Sequence, residues 1–248
     1  MMDILFLGTN GWYDTSTGNT ICTLLRARKS NILFDAGTGI HKIDHYIDFT
    51  KDTFLFLSHF HLDHIIGLHI LNKFKFRKRF VIIGQKGTKK ILNNLIAPPY
   101  TISFRSLNYK VEFLELSEGH HNLPLDVECL PLLHSEPSMG YRINIDGKTI
   151  SYCLDTGPCD NLIDLSRDSD LMITECSFPA GMVVKGWPHL NPELAAKAAK
   201  RANARILALT HFDASIYMDW KDRLKAQGIA RGIFPRAFVA KDDMKVEL

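Results

Sequence analysis

Three histidines and one aspartate fall within six residues, from His59 to His64, directly after the apolar run Phe54–Leu57. The apolar run predicts a buried strand, and residues two apart in an extended segment share a face, so His59 and His61 can point at one metal ion. If the chain then turns into a helix, Asp63 and His64 are carried to a different side and can serve a second ion. Imidazole and carboxylate are the ligands expected of catalytic zinc, with manganese or iron as alternatives.

The rest of the chain alternates short β-rich runs with turn signals, and helical periodicity appears in three places. The predicted strands are Asp3–Leu7, Thr20–Arg26, Asn31–Asp35, Thr53–Ser58, Phe80–Ile83, Lys110–Leu116, Asp126–Leu133, Tyr141–Ile145, Thr149–Leu154, Leu171–Thr174 and Ile206–Thr210. The predicted helices are Asp63–Leu71, Thr88–Ile96 and Pro192–Ala202. Asp146-Gly147 predicts a type I′ hairpin, and Asn191 is a good N-cap for the last helix. Strands dominate and helices intervene, which predicts an α/β (α+β) fold of two sheets flanked by helices.

Composition adds limits on partners and compartment. The chain has 248 residues, and its net charge of +3 neither demands nor excludes an anionic substrate. No apolar run approaches the roughly 20 residues that cross a bilayer, so no membrane partner is expected. The start, Met1–Gly11, has the pattern of a buried strand rather than of a signal peptide. The five scattered cysteines form no C-x-x-C pair, which favours small buried side chains in a reducing cytoplasm. No long linker divides the chain, so residues 1–248 are expected to form a single domain.

The histidine-rich string resembles the signature of the metallo-β-lactamase superfamily. That fold is an αββα sandwich with metals in a cleft at the sheet edges. The resemblance implies further ligands at the ends of downstream strands, where His134, Asp155 and His211 stand. It assigns one metal to His59, His61 and His134, and a second metal to Asp63, His64 and His211, with Asp155 as the bridge. It also implies hydrolysis by a metal-bound hydroxide as nucleophile, which Asp63 would orient.

Three further segments resemble the ribonuclease Z and phosphodiesterase branch of that superfamily. They are the Gly140-Tyr141-Arg142 stretch after His134, the acidic loop Leu171–Phe178, and the segment Trp187–Asn191. The resemblance implies that Glu175 orients and charges His189, and that His189 is the proton donor to the leaving oxygen. It further implies a phosphodiester substrate, either a small molecule or RNA, and a homodimer.

The sequence departs from ribonuclease Z proper, which inserts a long tRNA-gripping arm between its third and fourth motifs. Here only 20 residues separate His134 from Asp155, and a predicted hairpin uses most of them. We therefore expect a ribonuclease-Z-like phosphodiesterase with an open, arm-less site. A carboxyl-ester, thioester or lactone hydrolase on the same scaffold stays an alternative, as does a non-catalytic binding module. The run Lys73–Phe80 interleaves cations with aromatic residues, so it either follows a nucleic-acid backbone or buries its phenylalanines.

Overall fold

The computed structural model describes residues 2–248, and Met1 lies outside the described residues. The strands in chain order are β1 (Asp3–Gly8), β2 (Asn10–Gly11), β3 (Cys22–Arg26), β4 (Ser30–Phe34), β5 (Asp52–Phe56), β6 (Phe80–Gln85), β7 (Val111–Leu116), β8 (Gly119–Asn122), β9 (Asp126–Leu132), β10 (Ser138–Ile145), β11 (Lys148–Cys153), β12 (Leu171–Glu175), β13 (Leu207–Thr210), β14 (Phe212–Asp213), β15 (Ala237–Val239) and β16 (Met244–Glu247). The α-helices are α1 (Leu62–Ile65), α2 (Thr88–Leu95), α3 (Asp160–Ser166), α4 (Pro192–Arg201) and α5 (Trp220–Ile233). The 3₁₀ helices span Thr38–His45, Ile66–Lys73 and Phe104–Ser106.

Two seven-stranded sheets form the centre of the described chain. Their strand orders are β16-β1-β3-β4-β5-β6-β7 and β15-β13-β12-β11-β10-β9-β8. Each sheet is antiparallel on one side and parallel on the other, since β4 to β7 pair in parallel in the first sheet, as do β11, β12, β13 and β15 in the second. The parallel pair β2 and β14 joins the loops that follow β1 and β13, so it ties the two sheets together at one edge.

Side chains alternate between two buried layers along the inner strands, as the pleat of a strand requires. In β1, Ile4 and Phe6 point into the core between the sheets, whereas Leu5 and Leu7 pack in the outer layer of the first sheet. Helices α3, α4 and α5 cover the outer face of the second sheet, where alanines such as Ala195 and Ala199 bring the α4 backbone close. The result is the predicted αββα sandwich.

The predicted strands and helices are found within a few residues of their expected limits, with one helix changed in kind. The Asp146-Gly147 turn has φ values of 51° and 77°, as a type I′ hairpin needs. The Asn191 side chain accepts a hydrogen bond from the Leu194 N–H and caps α4. The helix expected over Asp63–Leu71 is instead the single turn α1 followed by the 3₁₀ helix Ile66–Lys73. Helices α3 and α5 and the short strands β2, β8 and β14 to β16 are elements that the sequence pattern did not predict.

Strand direction brings the polar strand ends to one edge of the sandwich. The parallel strands β11, β12 and β13 all end at that edge, and Asp155, Glu175 and His211 stand at or directly after these ends. Strand β9 runs in the same direction and is followed by His134. The first sheet delivers the histidine-rich string after β5. Topology thus collects residues from distant parts of the chain into one cleft.

The cysteines and the helix lengths bear on two further expectations from the sequence. All five cysteines are unpaired within residues 2–248, and only Cys159 is more than marginally exposed. No helix in the described part of the chain is long and apolar enough to cross a membrane.

Candidate metal centre

The seven predicted ligands gather into two adjacent groups at the sheet edge. Within each group the potential ligand atoms all lie within 4.8 Å of one another. The first group consists of His59, His61, His134 and Asp155, and the second of Asp63, His64 and His211. The division of ligands into two sets matches the one expected from the sequence.

Asp155 lies between the two groups and offers one oxygen to each. Its Oδ2 is 3.6 Å from His59 Nε2 and 3.7 Å from His134 Nε2, both in the first group. Its Oδ1 is 3.4 Å from His64 Nε2 and 3.1 Å from His211 Nε2, both in the second. This is the geometry that a bridging carboxylate needs.

Asp35 and Ser58 hold the histidine rings from behind. The Asp35 carboxylate accepts a hydrogen bond from His64 Nδ1 at 2.9 Å and another from the Tyr152 hydroxyl at 2.8 Å. Ser58 donates to Asp35 and lies 3.0 Å from His59 Nδ1. Because a carboxylate only accepts, His64 carries its hydrogen on Nδ1 and turns the lone pair of Nε2 toward the cleft. Asp35, the last residue of a predicted strand, was not among the predicted site residues.

Ser177 and the Gly11-Trp12 backbone complete the second group, and neither was among the predicted site residues. The Ser177 hydroxyl lies 3.1 Å from His211 Nδ1. A Cβ at Gly11 would lie 2.5 Å from the His211 ring, so this close approach requires glycine. The Trp12 N–H donates to Asp63 Oδ2 at 2.7 Å. This backbone amide therefore binds a carboxylate of the second ligand group.

The donor atoms fit divalent metal ions. In the described chain, the buried atoms His59 Nε2 and Asp155 Oδ1 have no hydrogen-bond partner. His64 Nε2 also faces His211 Nε2 at only 3.0 Å. Two ring nitrogens this close need a proton or a metal ion between them, and buried polar atoms without partners are costly. Neutral imidazoles and carboxylates in this arrangement are ligands for zinc, manganese or iron.

Backbone strain is concentrated at the same edge. Asp35, Asp155 and His211 have φ values of 54°, 51° and 51°, and Trp12 has a φ of 73°. These are left-handed conformations that residues with a Cβ adopt at a cost of about 1 kcal/mol or more. The surrounding fold holds four site residues in such conformations, which places their side chains in the cleft.

The electrostatics of the cluster favour charged carboxylates. Burial alone would raise the pKa of Asp155, but His211 and His64 outweigh it and hold that pKa well below its usual range. Burial likewise opposes ionisation of Asp63, yet His64 and His211 lower its pKa. Both carboxylates are therefore anionic at neutral pH, as ligands for a divalent cation must be.

Glu175 and His189, which the sequence resemblance implied to be a pair, are in contact. Glu175 is fully buried, and its Oε1 accepts a hydrogen bond from His189 Nδ1 at 2.7 Å. The His189 ring centroid lies 5.4 Å from that of His134 and 6.5 Å from that of His211, so the pair is adjacent to both ligand groups. Burial would lower the pKa of His189, but the Glu175 carboxylate outweighs this effect and raises it to about 9.

A cavity of about 620 Å³ opens over the cluster. Its lining residues are Gly11, Trp12, His61, Leu62, Asp63, Asp155, Ser177, Trp187, His189, His211 and Asp213. A volume of this size suits a small organic ligand or a nucleotide-sized part of a larger one.

Two segments considered at the sequence level have structural roles outside this cavity. The Tyr141 hydroxyl donates to the Leu57 carbonyl, and Arg142 donates to the Leu165 carbonyl, so the Gly-Tyr-Arg stretch braces the sheets. In the Lys73–Phe80 run, Phe74, Phe76 and Phe80 are buried. These rings therefore cannot stack on nucleic-acid bases, and Lys73 pairs with Asp44.

Comparison with known proteins extends this picture. Residues 30–212 match the family model of the β-lactamase superfamily domain. Ribonuclease Z of Methanosarcina mazei is 27% identical over 309 aligned positions, which cover 100% of this chain and 98% of the relative. Because that alignment is longer than the 248 residues of this chain, the relative carries segments that this chain lacks.

Two solved structures share the whole architecture. The metallo-β-lactamase fold protein YhfI from Bacillus subtilis superposes with a TM-score of 0.80 at 23% identity, with 100% of each chain covered. The short form of human tRNase Z superposes with a TM-score of 0.76 at 22% identity, with 99% of this chain and 98% of that chain covered. At these identities the likeness shows the fold.

The sandwich and its paired ligand groups define a metal-dependent hydrolase. The chain belongs to the β-lactamase superfamily. The αββα fold that the sequence resemblance implied is confirmed.

Proposed function

We propose that this protein is a two-metal phosphodiesterase, with zinc as the first candidate metal and manganese or iron as alternatives. The observation that carries the proposal is the Glu175–His189 pair, joined at 2.7 Å beside two metal-ligand groups. Two metal ions can hydrolyse a carboxyl ester without a Glu–His pair. Cleavage of a phosphodiester with a poor leaving group, in contrast, needs a proton donor at the leaving oxygen. Relatives that carry the name ribonuclease Z support phosphorus as the centre attacked.

The metal sites in this proposal follow the two groups. His59, His61 and His134 would hold one ion, Asp63, His64 and His211 would hold the other, and Asp155 would contribute an oxygen to each. When bound, such ions supply a nucleophile from water at neutral pH and stabilise negative charge on the phosphoryl oxygens. Asp63 Oδ2 accepts a hydrogen bond from the Trp12 N–H. The other carboxylate oxygen of Asp63 is free to accept a proton from the attacking water.

His189 acts on the leaving side of the reaction. Glu175 accepts the Nδ1 hydrogen of His189, which fixes the ring and directs Nε2 toward the cavity that His189 lines. As the bond from phosphorus to the leaving oxygen breaks, that oxygen takes the proton from Nε2. The products are a phosphomonoester and an alcohol. Glu175 touches neither reactant and is a positioning residue.

We further propose that residues 1–248 form one domain with an open site. Side chains from Met2 to Leu248 contribute to or pack against the core between the sheets, which supports one domain. The segment from His134 to Asp155 is filled by β10, β11 and their short connections, leaving no residues for a tRNA-gripping arm. Small phosphodiesters and the ends of RNA are therefore the substrates we expect.

A substrate panel tests the proposal. The metal-loaded protein is assayed with bis(p-nitrophenyl) phosphate, an unmodified pre-tRNA, a p-nitrophenyl carboxyl ester, a thioester and a lactone. We expect hydrolysis of bis(p-nitrophenyl) phosphate by the wild type and by His189→Ala, since p-nitrophenolate leaves without a proton. On a dinucleoside monophosphate, whose alkoxide leaving group needs the proton, His189→Ala should lose about 10²-fold or more in kcat. The matched control is His69→Ala, which removes an exposed histidine bonded to a backbone carbonyl and should change nothing.

The outcomes separate the alternatives. The phosphodiesterase proposal is contradicted if the metal-loaded protein cleaves the carboxyl ester, the thioester or the lactone and leaves bis(p-nitrophenyl) phosphate intact. Full activity of His189→Ala on the dinucleoside monophosphate contradicts the assigned proton donor alone. Cleavage of pre-tRNA at its 3′ side would extend the proposal to tRNA processing without an arm.

A further inference from the structure

We propose that Trp12 and Trp187 are stacking platforms for nucleobases, so that the substrate is a phosphodiester bearing a nucleoside; this rests on the proposed phosphodiesterase function. Both indoles line the cavity over the metal-ligand groups, and both are unusually exposed, at 67% for Trp12 and 47% for Trp187. The third tryptophan, Trp220, lies at the start of α5 and packs against the helical layer of the second sheet. Two solvent-exposed tryptophans in one cavity indicate that the cavity binds a ligand with an aromatic or apolar part.

Trp12 is held in place at the second ligand group. Its N–H is bonded to Asp63 Oδ2, and its φ of 73° is one that glycine would adopt without strain. Its ring meets Tyr13 edge to face, with ring centroids 5.1 Å apart. A bulky exposed side chain in a strained conformation contributes little to folding, so the presence of tryptophan at this position points to contact with a ligand.

Trp187 stands at the first ligand group. Its ring centroid lies 6.2 Å from that of His134 and 5.9 Å from that of His189. An aromatic ring stacked on Trp187 would therefore lie next to the proton donor, and one on Trp12 next to Asp63. The two indoles thus offer contacts to groups on both sides of a phosphate bound at the metal centre.

The charge of the cavity selects against recognition through additional phosphates. Among the described residues that line it, none is a lysine or an arginine, and Asp213 adds a carboxylate. Phosphates beyond the reacting one would find no lysine or arginine there, whereas the reacting diester is neutralised at the metal centre and His189. Contacts beyond the reacting phosphate must then come from planar, uncharged groups, and every nucleobase presents a face for stacking.

A nucleobase also fits better than a lipid chain. The two platforms are rigid planar rings, and the cavity of about 620 Å³ accommodates a nucleotide. The Asp213 carboxylate gives the same cavity an acceptor for ribose hydroxyls or exocyclic amines. An acyl chain would form no hydrogen bond with this carboxylate.

Two chromogenic diesters that share a leaving group test the inference. Thymidine 5′-phosphate p-nitrophenyl ester carries a base, and methyl p-nitrophenyl phosphate does not. We expect the thymidine ester to show a kcat/KM at least about tenfold higher, mostly through KM, which is the scale of base stacking on an aromatic side chain. Because the leaving group lies at His189 and Trp187, the thymine contacts Trp12, and Trp12→Gly should remove most of this preference. Trp187→Ala should slow both esters alike, since the p-nitrophenyl ring that they share stacks there, and Trp187→Phe should keep most of the rate.

The variants are chosen so that folding does not obscure the result. Trp12→Gly suits the positive φ and should not lower Tm. Tyr100→Ala removes a more exposed aromatic ring, 76% exposed and outside the cavity lining, and should leave the preference unchanged. Elemental analysis of each variant shows whether the metal centre is intact.

Each failure has a distinct meaning. If neither ester is cleaved, the phosphodiesterase proposal falls and the inference falls with it. If both are cleaved with equal kcat/KM, the phosphodiesterase proposal stands and the stacking role is overturned. Tryptophan-dependent binding to phosphatidylcholine vesicles, or a dimer that Trp187→Ala converts to monomer, would also overturn it by assigning the indoles to another occupant.

Discussion

The substitution Glu175→Gln tests how the buried carboxylate organises the leaving side of the site. Oε1 of Glu175 accepts hydrogen bonds from the Thr156 N–H at 2.7 Å and from His189 Nδ1 at 2.7 Å. Oε2 accepts from the Ser177 N–H at 3.2 Å and the Leu190 N–H at 3.2 Å. Four hydrogen-bond donors thus meet two carboxylate oxygens. A glutamine keeps an acceptor oxygen at only one of these two positions and has an NH₂ donor at the other.

The magnitude follows from this count. Whichever way the amide of Glu175→Gln is turned, its NH₂ faces two donors. Hydrogen bonds to a charged group contribute about 1.5–3 kcal/mol each, so losing two, with partial relaxation, destabilises the fold by about 3 kcal/mol. For a domain of this size that corresponds to a fall in Tm of roughly 6–12 °C. His189 also loses the partner that orients its ring, and diester hydrolysis should fall about 10²-fold.

The assay combines thermal unfolding, metal content and hydrolysis of a dinucleoside monophosphate, whose alkoxide leaving group needs the proton of His189. Metal content should stay unchanged because Glu175 lies outside both ligand groups. Glu118→Gln, at an exposed position, is the matched control and should leave all three quantities unaltered. A Glu175→Gln protein with the wild-type Tm and wild-type kcat would refute the reasoning.

Two further predictions concern stability. Arg223 is fully buried, lies over the Phe212 ring and donates to Thr9, Asn10 and Thr17; Arg223→Met should lower the free energy of unfolding by about 3 kcal/mol in urea titrations and also slow diester hydrolysis, since it frees the strand that carries Gly11 and Trp12. Unchanged activity would show that the loop is held by other contacts. Burial would raise the pKa of Asp3, but Arg26 and Lys245 lower it, so its contribution is present above the unfolded pKa of about 3.9 and is lost as the pH falls through the lower folded value. Asp3→Asn should therefore cost stability at pH 7 and little at pH 2, and an equal cost at both pH values would contradict the ion pair.

Sequence reasoning located the candidate site well because its ligands follow strands with strong apolar patterns. The string His59–His64 and the strand ends at Asp155 and His211 could be found without coordinates, and strand direction then places them at one edge. The supporting residues could not be found in this way. Asp35 reaches His64 and Ser177 reaches His211 only through tertiary contacts between distant segments.

The unpredicted elements have physical reasons of their own. Helix α5 contains Gly228 and Gly232 and exposes Leu224 and Ile229, so its apolar face is weakly marked in the sequence. The short strands β15 and β16 depend on their partners rather than on local pattern. The single turn α1 gives way to a 3₁₀ helix where Gly67 packs against the Gly37 carbonyl, too close for a Cβ. The homodimer and the cytoplasmic location expected from the sequence stay predictions.

The most direct test of a two-metal hydrolase is a metal count by elemental analysis of protein purified without chelator. We expect about two divalent ions per chain, about one after His134→Ala or His211→Ala, which each disrupt a different group, and two in His189→Ala. Wild-type protein that binds no divalent metal, or only one ion per chain, would contradict the two-site account.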